Sequence, residues 1–329
     1  MSTGRFLRFG LCLAAVAALL LLVVAARPAA AVSGGSARWA SLAGDGVGPN
    51  DIAGPDDHPV VSFSTAGAVG PSCIDGMDLQ YGVGDMALYW PNFDCWLPWF
   101  DAEGSGLPAG ADINALHDEC GPDEPRCDTY VVFAKPLVVP GLGKVQPHDI
   151  IGAEWMEGTQ DVYGNFWLVF DGSDVGLTTA GERTDALFLF DEDRPAPYGD
   201  CVQLGLGSTV GNYRVRDQWG GWLTGGGEDV LGFCATNLGT DTTGLWHMVV
   251  DGSAQGMPRN STDSLSMSAD GNTLYLTTKK NFNVDAAAGG HSMVYAYDMT
   301  TEMFSGPVFD APANGLPKQV DALEIVELP

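Results

Sequence analysis

Positive charge is the scarcest commodity in this sequence: 15 Lys and Arg face 42 Asp and Glu, for a formal charge of −27. Such a field repels nucleic acid and anionic lipid, and it argues against phosphate recognition through a basic patch. The only adjacent basic pair is Lys279-Lys280. Histidine is equally sparse, with His58, His117, His148, His247 and His291 scattered singly, and no H-E-x-x-H or H-x-H pair occurs. A lone histidine beside a strand reads as a structural residue. There is no G-x-S-x-G elbow, no P-loop and no G-x-G-x-x-G, which removes the usual signatures of hydrolases and nucleotide enzymes. The cysteines form no C-x2-C pair, so a zinc site is not indicated.

Apolar runs long enough to cross a membrane are confined to the first residues. Arg5 and Arg8 precede an uncharged stretch from Phe9 to Ala26, and Ala29-Ala30-Ala31 offers an A-x-A exit before Val32. This is the pattern of a secretory signal; the alternative is an uncleaved anchor, the one case in which a membrane would be a partner. Removing residues 1–31 takes Arg5, Arg8 and Arg27 and moves the charge from −27 to −30. Residues 32–58, rich in Gly, Ser, Ala and Asp, read as a flexible leader, and residues 59–329 as one folded domain. The remaining Cys73, Cys95, Cys120, Cys127, Cys201 and Cys234 are an even set behind a signal, which implies three disulfides in an extracytoplasmic protein. Six cysteines leave 15 connectivities open. Proximity in sequence favours Cys73–Cys95, Cys120–Cys127 and Cys201–Cys234.

What the sequence has in quantity is a repeat. WLPWFDAEGSGL, WLVFDGSDVGL, WHMVVDGSAQGM and FSGPVFDAPANGL each carry an Asp (Asp101, Asp171, Asp251, Asp310) followed by Ala or Gly. Five positions after that Asp comes Gly106, Gly176, Gly256 or Gly315, and then an apolar residue. Eleven to fourteen residues beyond each Asp stands a second element, Asn114-Ala115-Leu116, Asp185-Ala186-Leu187, Asp263-Ser264-Leu265 or Asp321-Ala322-Leu323. Upstream of each repeat lies a strand-like run. Three of these open on Asp85, Asp149 and Asp229, and the fourth on Ser292.

Helical spacing is nearly absent after the signal. Short runs rich in Val, Phe, Tyr, Thr and Leu, bounded by Gly, Pro, Asp or Asn, predict strands. Each repeat supplies four of them, the last being Tyr130–Ala134, about Asn212–Arg216, and Thr273–Thr278. The fourth repeat reaches Pro329 without a last strand, while residues 59–64 supply one at the other end. The expected fold is therefore all-β, a small propeller of about four four-stranded blades in which an N-terminal strand completes the last blade. The stretch 191–227 departs from the other repeats and reads either as an elaborated loop or as a hidden strand pair.

The repeated segments resemble those of a group of bacterial secreted proteins with FDGSDVGL and DVDAL repeats, most closely at Phe170–Leu177 and Asp185–Leu187. Ser268 to Tyr275 resembles the S-x-D-G-x-x-L-Y hairpin of TolB-type propeller blades. Both resemblances imply a fold and no activity.

Two groups of residues are candidates for chemistry. If each repeat Asp ends one strand and each [DN]-[AS]-L opens its antiparallel neighbour, Asp101/Asn114, Asp171/Asp185, Asp251/Asp263 and Asp310/Asp321 flank single turns. The plainer reading is that each Asp ties down its own turn. The sharper one is calcium held by paired carboxylates, with Asp174 adding a ligand. A halophilic habitat would also account for excess acid. A glycosidase acid/base pair should be singular, and these recur four times. The second group is Trp219 and Trp222, outside the repeat, which would stack on a sugar or anchor a protein; Trp96, Trp167 and Trp246 sit at equivalent repeat positions and read as packing. The expected function is a non-catalytic extracellular binding or scaffolding module for a protein or carbohydrate. The alternative is a secreted hydrolase of sugars or esters, whose pocket would be sought near Glu182, Arg183 and residues 191–227.

Overall fold

The computed structural model describes residues 60–64, 67–69, 72–73, 79–82, 84–90, 94–120, 127–156, 159, 161–190, 202–268, 270–316, 320 and 322–326. The signal and leader readings lie outside these residues, as do Asp321 and Cys201. No described helix is long and apolar enough to cross a membrane.

The described chain is all-β. In order, the strands are β1 (Val60–Ser64), β2 (Gly67–Val69), β3 (Leu79–Tyr81), β4 (Met86–Trp90), β5 (Cys95–Phe100), β6 (Ile113–Cys120), β7 (Cys127–Phe133), β8 (Leu137–Val139) and β9 (Gly143–Val145). Then follow β10 (Ile150–Trp155), β11 (Tyr163–Phe170), β12 (Thr184–Leu189), β13 (Val202–Thr209), β14 (Tyr213–Arg216), β15 (Trp222–Gly225), β16 (Val230–Asn237) and β17 (Thr243–Val250). The last are β18 (Thr262–Met267), β19 (Thr273–Thr278), β20 (Phe282–Val284), β21 (Ala287–Gly289), β22 (Met293–Asp298), β23 (Met303–Asp310) and β24 (Ala322–Val326).

They form four antiparallel four-stranded sheets: β24-β1-β4-β5, β6-β7-β10-β11, β12-β13-β16-β17 and β18-β19-β22-β23, here sheets I to IV. Sheet I joins the two ends of the chain, with Val60 opposite Val326 and Phe63 opposite Leu323. The first strands of the sheets touch in rotation, β6 on β12, β12 on β18, β18 on β24 and β24 on β6. Each sheet also carries a two-stranded hairpin between its second and third strands: β2–β3, β8–β9, β14–β15 and β20–β21.

Period-2 alternation explains the packing. In β12, Leu187 and Leu189 join a cluster with Val132, Ile150 and Phe170 of sheet II, while Ala186 and Phe188 join Leu265, Leu274 and Leu276 of sheet IV. Sheets I and II meet through Met86 and Phe100 against Leu116, Val131 and Phe133. Sheets IV and I meet through Val294 and Leu316 against Tyr89, Leu323 and Ile325. Burying both faces of each sheet uses the hydrophobic effect at every junction.

The repeat turn is the same structure four times. After Asp101, Asp171, Asp251 and Asp310 the chain makes one tight turn. It closes when Leu107, Leu177, Met257 and Leu316 donate their N–H to the carbonyls of Ala102, Gly172, Gly252 and Ala311 at 2.8–2.9 Å. The residue before each apolar one is a glycine with φ between 81° and 100°, the left-handed backbone that ends such a turn and that Gly alone adopts without strain. The apolar residue that follows is buried in all four.

Two expectations are corrected. The last strand of the second repeat is Val202–Thr209, and Asn212–Arg216 falls largely in the hairpin strand β14. The true strand was hidden by Gly205 and Gly207, placed where a Cβ would lie 2.1 Å from the Phe188 carbonyl and 3.1 Å from that of Ala186. The strand ending before each repeat Asp and the strand opened by [DN]-[AS]-L are also not hydrogen-bonded neighbours. β5 is the outer edge of sheet I and β6 the first strand of sheet II, so the stretch between them is a crossover between sheets. Among its described residues, the 191–227 stretch holds β13 and a strand pair, β14–β15, the second of its two readings, and each other sheet carries a hairpin like it.

Cys73 and Cys95 are disulfide-bonded with Cα atoms 5.0 Å apart. Cys234 is disulfide-bonded, while its expected partner Cys201 lies outside the described residues. Cys120 and Cys127 face each other across β6 and β7, and their side chains also lie outside the description.

Candidate functional site

Each repeat acid engages one carboxylate oxygen in its own turn. Asp101 Oδ1 accepts from Gly104 N at 2.8 Å, Asp310 Oδ1 from Ala313 N at 3.1 Å, and Asp251 Oδ1 from Ala254 N and the Ser253 hydroxyl at 2.9 and 2.7 Å. Asp171 Oδ1 accepts from the backbone and hydroxyl of Ser173 at 3.0 and 2.6 Å. Asp174 reaches sideways instead, accepting at 3.1 Å from the N–H of Thr242, directly before β17 of sheet III.

The partners of these acids are ones the sequence reading did not select. Asp85, Asp149 and Asp229 each clasp two backbone groups. One oxygen accepts from the residue three before it, Gly82, Gln146 or Gly226 (2.6, 2.7 and 3.1 Å). The other accepts from Ala102, Gly172 or Gly252, directly after the repeat Asp (3.0, 3.3 and 3.0 Å). Burial pushes all three carboxyls above the ordinary range, and the neighbouring Asp101, Asp171 or Asp251 adds to the rise. Their signal in the sequence was the shared Asp opening three upstream runs. Asp85, Asp101 and Glu103 line an open cleft of about 230 Å³ with Gly82, Gly84 and Pro108.

The [DN]-[AS]-L residues gather elsewhere. The ladder slips by one residue between Ile113 and Ala115, Thr184 and Ala186, and Thr262 and Ser264. Asn114, Asp185 and Asp263 are thus the extra residues of β-bulges, which re-aim a side chain. Asn114 Nδ2 donates to Asp185 Oδ1 at 2.9 Å. Lys279 Nζ bonds the other oxygen of Asp185 and lies 3.6 Å from Asp263 Oδ1. The cation beside these two buried carboxylates is therefore supplied by the chain. Three residues further along each first strand stand His117, Phe188, Ser266 and Glu324, which also meet. His117 Nδ1 lies 2.9 Å from Glu324 Oε2, Ser266 Oγ donates to Glu324 Oε1 at 3.0 Å, and the His117 and Phe188 rings are 4.8 Å apart. Burial raises the Glu324 carboxyl, and His117 partly offsets the rise. Among the described residues no group of three or more His, Cys, Asp or Glu side chains is placed to hold a metal ion.

The β14–β15 hairpin differs in kind. Its inward residues Tyr213 and Val215 are buried, and the Tyr213 hydroxyl donates to Asp229 Oδ2 at 2.8 Å. Arg214 N donates to Glu182 Oε1 at 3.1 Å, which gives Glu182 a structural task. Arg183 donates to the Ala180 and Ala134 carbonyls at 3.0 and 3.1 Å. At the tip, Asp217 Oδ1 accepts from Trp219 N and Gly221 N at 2.9 and 2.6 Å, an Asx turn that holds the loop in one shape. Gly220 has φ 81°. The outcome is a fixed tip whose Trp219 is 85% exposed and whose Trp222 is 48% exposed. The guanidiniums of Arg214 and Arg216 lie 4.3 and 4.0 Å from the Trp222 ring centroid. Two of the repeat tryptophans behave differently: Trp96 and Trp246 are buried, with Nε1–H donated to Asn314 O and Val175 O, whereas Trp167 is half-buried and pairs opposite Gly152, so it does not occupy their position.

No family model matches this chain, and no curated protein matches its sequence.

Proposed function

We propose that this protein is an extracytoplasmic, non-catalytic binding module, a four-bladed propeller that takes a carbohydrate at the β14–β15 hairpin. The propeller reading is supported by the pairing of β1 with β24, the rotation of contacts through β6, β12, β18 and β24, and four apolar clusters between successive sheets. The N-terminal signal pattern and the disulfides support an extracytoplasmic address.

One observation carries the binding site: Trp219 offers a bare ring on a tip anchored to its own sheet. An indole left in water forgoes about 2–3 kcal/mol of burial, and an ordered backbone beneath it lowers the entropy cost of stacking a flat partner on it. Catalysis is the weaker reading. A raised carboxyl beside another carboxylate, as at Asp85 and Asp101, is the pattern of an acid/base pair. Yet the same clasp recurs at Asp149/Asp171 and Asp229/Asp251, where its oxygens hold backbone N–H groups. That repetition assigns it to building turns.

Affinity electrophoresis of the mature chain through gels containing neutral and acidic polysaccharides tests the proposal. At least one polysaccharide should retard the wild type, and Trp219→Ala should abolish the retardation with an unchanged circular dichroism spectrum. Equal mobility of the two proteins in every gel would refute it.

A further inference from the structure

We infer that the carbohydrate taken by this hairpin is an anionic one, a uronic-acid polysaccharide whose carboxylates seat on Arg214 and Arg216 while a sugar ring stacks on Trp219. The inference rests on the carbohydrate reading above and names its chemical class.

The starting point is where the chain spends its few cations. Lys279 is paired with Asp185 and Asp263, Lys280 bonds the Arg259 carbonyl, and Arg183 bonds two backbone carbonyls. Arg214 and Arg216 are different. They alternate with buried Tyr213 and Val215 along β14, so both project to the outer face, roughly 7 Å apart at strand spacing. Among the described residues no carboxylate lies within ion-pair distance of either guanidinium. In a chain with 42 acidic residues, two adjacent guanidiniums with that environment mark a place suited to an anion from outside.

Trp222 acts as their support. It sits directly opposite Arg216 in the hairpin register, with Arg214 two pairs further along and so on the same face. Both guanidiniums rest on its ring, at 4.0 and 4.3 Å. Such cation–π contact restrains the long side chains, and a guanidinium with no carboxylate partner keeps a planar N–H fork that can bind a carboxylate with two parallel hydrogen bonds. With Trp222 occupied in this way, Trp219 remains as the stacking ring, followed by Gly220 and Gly221, which add no side chain beside it. Two oxyanion forks on a hairpin whose connecting loop carries a bare aromatic plate match a flat ring that bears a carboxylate. An acidic peptide would use the forks and leave the plate unexplained.

Three probes separate the outcomes: polygalacturonate, its fully methyl-esterified form, and poly-glutamate, each titrated into the mature chain by calorimetry. Polygalacturonate should bind at least tenfold more tightly than the ester. Arg214→Gln/Arg216→Gln should erase that preference while leaving ester binding in place. Arg214→Lys/Arg216→Lys should keep part of it, since charge remains without the fork. Lys144→Gln, on the corresponding hairpin of sheet II, should change nothing, and thermal melts should show every variant folded. Equal binding of acid and ester would overturn the anionic assignment and leave the carbohydrate reading standing. Poly-glutamate bound as tightly as polygalacturonate would overturn it in favour of charge alone. Absence of binding to both saccharides, unaltered by Trp219→Ala, would remove both.

Discussion

Trp96 and Asn314 are 218 residues apart in sequence, yet the indole N–H of the first donates to the carbonyl of the second at 2.8 Å. Trp96 lies in the outer strand of sheet I, and Asn314 in the repeat turn that follows sheet IV. The same bond recurs between Trp246 of sheet III and Val175, in the turn that follows sheet II, at 3.1 Å. In both cases the acceptor directly precedes the left-handed glycine of the turn. The repeat turn is therefore also a latch between neighbouring sheets.

Breaking that latch should be costly where it joins the ends of the chain. Trp96→Phe leaves the Asn314 carbonyl without its donor and removes indole volume from a fully buried site. A loss of about 2–3 kcal/mol is expected from the two effects together. Urea denaturation should show it as a lower midpoint with an unchanged slope.

Glycines at two places in one turn should respond differently to alanine. At Gly256, with φ 84°, a Cβ meets nothing within 4 Å, so the cost is the backbone's alone, about 1–2 kcal/mol. At Gly252 a Cβ would lie 2.1 Å from the Glu228 carbonyl oxygen, and backbone must move. Gly252→Ala should therefore be the more destabilising of the two by thermal melting. The reverse order would contradict the turn geometry.

Calcium should be dispensable, because the repeat acids are engaged with backbone N–H groups and Lys279 already stands between Asp185 and Asp263. Chelator-stripped protein is expected to melt at the same temperature with and without millimolar calcium. Lys279→Ala, by contrast, leaves two buried carboxylates without their cation and should cost about 3 kcal/mol. A calcium-dependent melting point in the wild type would show that the turns hold metal.

Glu324 gives the stability a readable pH dependence. Burial raises its carboxyl above the ordinary 4.5, against the opposing pull of His117 and Ser266 and with help from Asp118. The native state thus holds the proton more tightly than the unfolded chain, and this group's contribution falls as pH rises from about 4.5 through the raised native value. Glu324→Gln imitates the protonated side chain. Wild type and variant should have similar stability at the acidic end, and the wild type should lose ground relative to the variant as pH rises. Parallel stability curves would show that Glu324 does not titrate in this range.

Much of the architecture was written in the order of residues. Strand-forming runs alternate with Gly- and Asp-rich turns because short β-branched and aromatic segments cannot build helices economically, and a turn ending in left-handed backbone selects Gly. That local chemistry located the four copies of D-[AG]-x-x-x-G and the strand at Val60–Ser64 that meets Ala322–Val326. It also singled out Trp219 and Trp222, which have no counterpart in the sequence repeat.

Tertiary structure decided which acids meet. Asp101 and Asn114 look like neighbours across one turn, but the crossover carries them to different sheets. The bulge at Asn114, Asp185 and Asp263 turns those side chains toward one another and Lys279. Asp85, Asp149 and Asp229 acquire their burial and their second hydrogen bond only when the following strand returns beside them. The guanidiniums on Trp222 likewise depend on hairpin register, set by backbone pairing between two strands. Sequence spacing carries the local turn; which side chains face each other across strands and sheets is a property of long-range packing.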